Sequence, residues 1–343
     1  MRRILAWAAI LTLLLTLAPS AAIAPPAEAA TPGLLIGFVT DGPVLYDRGY
    51  NQAGWIGVKA GATAIKGRPS VILSQKPSKY AANIRTFVVR GAKVVVTVGW
   101  QMTNATVAAA KLYPRVQFIG IDQQPARPLP RNYQGLDFDR AEAGYLAGIV
   151  AGWTTTTDKV GAVGGMAIKP VLAFINGYRN GVASVKAATT VLVQYTDNFG
   201  APDLGQASAE ALIAAGTDVV FGVAGQTNAG IFQAAWTAPA GVWAIGVDVD
   251  QYLQYPAFQS RILTSAVNRV SLATASSIRR WSAKRPGFQT GIYLNDASNT
   301  ATPLAPIRGM VPPADLVTAL DTAFKGLAAG TINPCKPTAC NTK

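Results

Sequence analysis

The stretch Leu34-Leu35-Ile36-Gly37-Phe38-Val39-Thr40-Asp41-Gly42-Pro43, followed shortly by Tyr50-Asn51-Gln52, decides how the rest of the chain reads. A short apolar run bounded by small residues reads as a strand covered on both faces, the habit of parallel sheets. Thr40 to Pro43 carries the chain over the carboxyl end of that strand, and a helical pattern begins at Asn51. Ligands of open α/β sheets bind at that edge. Asp41, Tyr50 and Asn51 therefore bring a carboxylate, an aromatic face and an amide to a place suited to a flat, polar small molecule.

The same alternation continues downstream. Apolar runs at 71–74, 93–99, 116–121, 159–164, 191–195, 218–224 and 242–247 read as strands, with helical stretches between them. Asp139-Arg140-Ala141-Glu142 has the spacing of a capping box and opens a helix to about residue 152. The proline-rich segment Gln123 to Asn132 interrupts the series and reads as a crossover between two lobes. Strands alternating with helices predict α/β lobes, each a doubly wound parallel sheet with helices on both faces.

Composition narrows the function. Met1-Arg2-Arg3, an apolar run from Ile4 to Leu17 and the small residues ending in Ala27-Glu28-Ala29 predict a secretory signal peptide over 1–29. No cysteine lies near that cleavage site, so no thioether-linked lipid is expected there, and the localisation predicted is exported: periplasmic or extracellular. No later segment has the roughly 18 consecutive apolar residues of a membrane helix. The chain carries 30 basic and 17 acidic residues, a net charge of +13 that falls to +12 without the leader. A solvated surface beside an anionic envelope accounts for it, as would a field steering an anionic ligand. Nucleic-acid binding is disfavoured because the basic residues are scattered and not gathered on one face. The chain has no histidine, which removes Ser-His-Asp and Cys-His nucleophilic systems and histidine-containing zinc sites. Its two cysteines, Cys335 and Cys340, suit a local disulfide in an exported tail.

Polar residues gather just past the strands: Asp41, Trp100, Asp122, Phe199, Gly225 and Asp248. In facing lobes these ends line one cleft. Tyr50 and Phe199 can sandwich a planar ring, although core aromatics beneath loops would look the same in sequence. Asn51 carries both donors and an acceptor. Asp122 and Asp248 can accept from hydroxyl or amine groups, or cap helices. Gly225 opens a helix and permits close backbone approach. No Walker P-loop or G-x-G-x-x-G occurs, which disfavours nucleotide phosphate binding.

Several stretches, in this order, resemble the basic membrane protein family, the purine nucleoside receptor group of ABC transporter solute-binding proteins. They are Thr40-Asp41-Gly42 with Tyr50-Asn51-Gln52, Tyr145-Leu146-Ala147-Gly148, Val163-Gly164-Gly165-Met166, Gly177-Tyr178-Arg179-Asn180-Gly181, Asp218-Val219-Val220-Phe221 with Ala224-Gly225, the run from Trp243 to Gln251, and Leu263-Thr264-Ser265. The resemblance implies a two-lobe type I periplasmic binding protein fold with the ligand cleft between lobes. It implies lobe 1 from 34–124 and 249–290, lobe 2 from 133–247 and 291–330, and a tail from 331–343. By motif, the stacking aromatics fall on Tyr50 and Phe199, the base-reading pair on Asn51 and Asp122, and the ribose-binding aspartate on Asp248, with Gly225 nearby. The family's ribose-binding lysine is replaced by Asn268, and its lipid-anchoring cysteine is missing. The function implied is that of a monomeric extracytoplasmic binding protein that closes on a purine nucleoside or related heterocycle and hands it to an ABC permease. It implies no enzyme activity, cofactor, metal or nucleic-acid partner. A sensory protein signalling through a membrane receptor, or a binder of a non-nucleoside ligand, are the alternatives. A carboxylate-based hydrolase is disfavoured, because the acidic residues form no cluster in sequence.

Overall fold

The computed structural model describes residues 33–283 and 290–340; the expected signal peptide and the last three residues of the tail lie outside them. In chain order the strands are Leu35–Val39 (β1), Arg68–Ile72 (β2), Val94–Val98 (β3), Gln117–Ile121 (β4), Tyr133–Phe138 (β5), Lys159–Gly164 (β6), Thr190–Tyr195 (β7), Val219–Val223 (β8), Trp243–Asp248 (β9), Ile262–Val267 (β10) and Gly291–Asn295 (β11). The helices are Tyr50–Ala64 (α1), Tyr80–Val89 (α2), Thr103–Leu112 (α3), Arg140–Thr154 (α4), Lys169–Val185 (α5), Pro202–Ala214 (α6), Asn228–Thr237 (α7), Gln251–Gln254 (α8), Val270–Ser282 (α9) and Ala314–Ala328 (α10).

The strands make two parallel sheets, ordered β11-β5-β4-β3-β1-β2 and β10-β9-β8-β6-β7. The α/β two-lobe fold expected from the alternation is present. Every residue of β1, β3, β4 and β8 is buried, as continuous apolar runs covered on both faces require. Ile36, Phe38, Val94, Val96 and Ile119 form one core of the first sheet, under α1 and α9. Phe174, Tyr178, Phe221 and Ile245 belong to the main core of the second.

Helices α4 and α5 approach backbone to backbone. A Cβ on Gly144 or Gly148 would collide with the carbonyls of Phe174 or Tyr178, and one on Gly177 or Gly181 with those of Ala141 or Tyr145. The motifs Tyr145-Leu146-Ala147-Gly148 and Gly177-Tyr178-Arg179-Asn180-Gly181 are thus the two sides of one helix contact.

The lobe boundaries differ from those expected. Tyr133–Phe138 is a strand of the first sheet, paired with β4, and not the start of the second lobe. The segment Gln123 to Asn132 therefore stays within the first lobe. It is tied back by its own side chains: Gln123 Nε2 donates to Thr97 Oγ1 at 2.9 Å, and Asn132 Nδ2 donates to the carbonyls of Ala110, Tyr113 and Val116. The polar Gln134, Gly135 and Asp137 disguised this strand in sequence, yet all of β5 is buried. Within 249–290, Ile262–Val267 joins the second sheet beside β9, whereas α9 crosses back to pack on α1. Within 291–330, Gly291–Asn295 completes the first sheet beside β5, while α10 packs on α4.

Asp139 caps α4, its Oδ1 accepting from the amides of Ala141 and Glu142. Glu142 does not complete the box. Its Oε2 accepts from Ala297 N at 2.7 Å and Thr302 Oγ1 at 2.9 Å, fastening the return segment. Cys335 and Cys340 are disulfide-bonded. Asn180 holds that tail against α5, donating to the carbonyls of Pro334 and Thr338 and accepting from Thr338 N.

Candidate ligand cleft between the two sheets

The carboxyl ends of both sheets face a cavity of about 370 Å³. Of the residues expected at the site, Asp41, Tyr50, Asn51, Trp100, Asp122, Phe199, Gly225 and Asp248 all line it. Asn268 does not. It stands behind the wall, 2 % exposed, donating from Nδ2 to Tyr50 Oη at 2.8 Å and to Asp248 Oδ1 at 3.3 Å. A wider cavity of about 920 Å³ shares Trp100, Gln101, Asp122 and Arg140 with the first and extends to the tail at Cys335 and Cys340.

Each side chain owes its place to the backbone beneath it. Asp122, just past β4, and Asp248, the last residue of β9, have φ of 59° and 68°, in the left-handed region that aspartate tolerates better than most residues. That turn stops each strand and swings its carboxylate over the sheet edge. Gly99, just past β3 at φ 97°, lies directly beneath the Asp41 carboxylate and has no room for a side chain. Gly225, at φ 60°, carries Phe199 close above it. Tyr50 begins α1 and meets the edge of Phe138, with ring centroids 6.3 Å apart. Trp100 is 49 % exposed and forms part of the rim. Tyr50 and Phe199 thus come from opposite lobes to the same cavity.

Asp47 and Arg140 were not singled out by sequence. Asp47 organises the start of α1: Oδ1 accepts from Gly49 N and Gln52 N, and Oδ2 from Asn51 N and Asn51 Nδ2. The second amide hydrogen of Asn51 goes to Asp41 Oδ1 at 3.2 Å. The one polar atom of the Asn51 side chain left without a protein partner is therefore its Oδ1, which is buried. Arg140 lies two residues past the unrecognised strand β5, and recognising that strand would have flagged it. Its Nη1 donates to Asp137 Oδ1 at 3.0 Å and to Phe138 O at 2.9 Å, while Nη2 pairs with Asp122 Oδ1.

Among the described residues, the charged groups lining the smaller cavity are Asp41, Asp47, Asp122, Asp248 and Arg140. Burial pushes Asp41 up to about 6, with Asn51 opposing and Asp47 and Asp122 adding to the rise. Burial likewise lifts Asp248 to about 7, with Arg140 and Asn268 opposing. Asp122 is also raised by burial, against the pull of Arg140. Burial works against the Arg140 charge, but Asp122, Tyr50 and Asp137 hold it protonated. Such a cavity disfavours an anionic ligand, because a buried anion would add to the repulsion among carboxylates. No group of acidic or cysteine side chains suited to a metal ion occurs among the described residues.

The family model for Bmp, described as ABC transporter substrate-binding protein PnrA-like, matches residues 34–294. The chain belongs to the Bmp family. It is 33% identical over 223 residues to the ABC transporter nucleoside-binding protein BmpA of Lactococcus lactis subsp. cremoris, a match spanning 62% of this chain and 63% of that protein. It is 31% identical over 272 residues to the CD4+ T-cell-stimulating antigen of Listeria monocytogenes, spanning 75% of each chain. Among solved structures, an ABC transporter solute-binding protein of Aeropyrum pernix superposes with a TM-score of 0.77 at 22% identity, over 88% of this chain and 92% of that one, a likeness of fold. The Bmp chain is thus of the ABC transporter substrate-binding class. Among the described residues no helix is long and apolar enough to cross a membrane.

Proposed function

We propose that this Bmp protein binds a purine nucleoside between its lobes and presents it, in a closed form, to an ABC permease. The observation that carries the reading is the placement of Tyr50 and Phe199 on opposite walls of one cavity with Asp122 and Asp248 beside them. Two rings from separate lobes can engage both faces of a heterocycle only when the lobes come together, which couples binding to closure. Asp122 accepts from the base, and Asp248 from the ribose hydroxyls, with Asn268 holding its carboxylate in place. The excess of carboxylates in the cavity favours an uncharged nucleoside over its phosphates. The nucleoside-binding name of the Lactococcus relative agrees with this ligand class.

Titration calorimetry of the leaderless protein against nucleosides, nucleoside monophosphates, free bases and sugars tests the reading. Nucleosides are expected to bind and monophosphates to bind far more weakly. Tyr50→Ala should lower nucleoside affinity by about tenfold, on the order of the 0.5–1.5 kcal/mol of an aromatic contact plus lost burial. Binding confined to sugars or amino acids, or nucleoside binding indifferent to Tyr50→Ala, would refute it.

A further inference from the structure

Resting on the nucleoside reading, the cavity wall also specifies which purine. Three polar residues, Asn51, Asp122 and Arg140, line the cavity that a base would occupy, and each has its hydrogen-bonding sense fixed by the protein. Asn51 must turn its amide hydrogens toward the carboxylates of Asp41 and Asp47, since its oxygen would be repelled there. Its Oδ1 is left buried and unpartnered, an acceptor without a choice of role. Asp122 gives Oδ1 to Arg140 and keeps Oδ2 to accept from a ligand. Arg140 is 6 % exposed and lines both cavities. Its bonds to Asp137, Phe138 and Asp122 use both Nη1 hydrogens and one on Nη2. The second Nη2 hydrogen and the Nε hydrogen remain, so Arg140 can only donate.

The strand order fixes the sequence of these groups. Along β5-β4-β3-β1 the sheet edge carries Arg140 past β5, Asp122 past β4, and Asp41 with its bonded Asn51 past β1. The wall therefore reads acceptor, acceptor, donor from Asn51 through Asp122 to Arg140. Its complement is donor, donor, acceptor, which is the edge of a 2-amino-6-oxopurine: the N2 amine, N1–H and O6. Adenine set in the same place would put a carbon-bound hydrogen against Asn51 and the N1 lone pair against the Asp122 carboxylate. Its 6-amino group would face the Arg140 guanidinium, donor against donor.

We infer that the cleft selects 6-oxopurine nucleosides, with guanosine bound more tightly than inosine and inosine more tightly than adenosine, and that Arg140 is the residue that reads the 6-oxo group. Inosine keeps the contacts to Asp122 and Arg140 but leaves the Asn51 oxygen unpaired, which places it between the other two.

Calorimetric titration of the leaderless protein with guanosine, inosine and adenosine decides the matter. Guanosine is expected to bind at least about tenfold more tightly than adenosine, the size of a single correct base-edge pairing. In Arg140→Met, guanosine and inosine should lose about tenfold while adenosine changes by less than about threefold. Because Arg140 is buried between two aspartates, that variant can fail to fold. The three-ligand series on the unsubstituted protein then decides alone. Adenosine binding as tightly as guanosine, or an Arg140→Met loss equal for all three, overturns the inference and leaves the nucleoside reading standing. If none of the three binds, both fall.

Discussion

Replacing Asp248 by asparagine should change how the unliganded protein responds to acid. The carboxyl is lifted from 3.8 to about 7, first by burial and then by the carboxylates of Asp122 and Asp47, against the pull of Arg140 and Asn268. Between those values the folded protein holds a proton that the unfolded chain has released. Stability is therefore greatest below about pH 4 as far as this group is concerned, and falls as pH rises toward and through 7. A tenfold change in proton affinity corresponds to about 1.4 kcal/mol, so the full span would be worth about 4 kcal/mol. The side chain lines the open cleft, where solvent screening reduces that figure to about 1–2 kcal/mol. The measurement is urea unfolding of wild type and Asp248→Asn at pH 8 and pH 5. Asp41 and Glu142, lifted to about 6 and about 7, give both proteins the same sign of pH dependence, so the difference between the two isolates Asp248. Wild type should gain about 1–2 kcal/mol more than the variant on going from pH 8 to pH 5. Nucleoside affinity should move the other way, weakening in acid as Asp248 loses its capacity as a two-oxygen acceptor. Parallel profiles for the two proteins, or a larger acid gain in the variant, would refute the argument.

Two further outcomes are expected. Gly148→Ala forces α4 off the Tyr178 carbonyl; overpacking of this kind costs about 1–3 kcal/mol, of which better helix propensity returns at most about 1. Chemical denaturation should show a net loss, and an unchanged or raised midpoint would mean the two helices are not in such close contact. Asn180→Ala removes the bonds to Pro334 and Thr338, so the tail should become protease-sensitive after residue 330 while the unfolding free energy falls by about 1–3 kcal/mol. Unaltered tail cleavage would show that the disulfide loop holds its own position.

The sheets and most of the cleft were legible in the sequence because strand ends announce themselves. Asp41, Trp100, Asp122, Gly225 and Asp248 each interrupt an apolar run, and each lines the cavity. Strand β5 was not legible, since Gln134 and Asp137 are polar residues serving internal partners: Asp137 pairs with Arg140, and Gln134 accepts from Ser277. Losing that strand displaced the lobe boundary and hid Arg140 behind a helix-cap motif. The sheet memberships of β10 (second sheet) and β11 (first sheet) were equally hidden, because parallel pairing joins segments far apart in the chain. For Asn51, the sequence supplied the residue but not its polarity. Only its bonds to Asp41 and Asp47 show that both amide hydrogens are taken and the oxygen is left as an acceptor.

Among the described residues the chain passes between the sheets near Asp139, near Asn268 and in the return from Asn295 toward Leu304, whose bridge to Ala266 lies on the second sheet. Arg140, in the cavity wall, and Asn268, just behind it, thus both sit close to where the chain passes between the sheets. On the proposed closure, the proposed recognition groups and the axle of lobe movement are mechanically one part. On that reading, a ligand that reorients the Arg140 guanidinium or draws on the Asn268–Asp248 bond would apply torque directly at the pivot, with no intervening lever. Substitutions at these two positions should therefore alter the resting angle of the empty protein as well as its choice of cargo, and scattering profiles of the unliganded variants would carry that signature before any ligand is added.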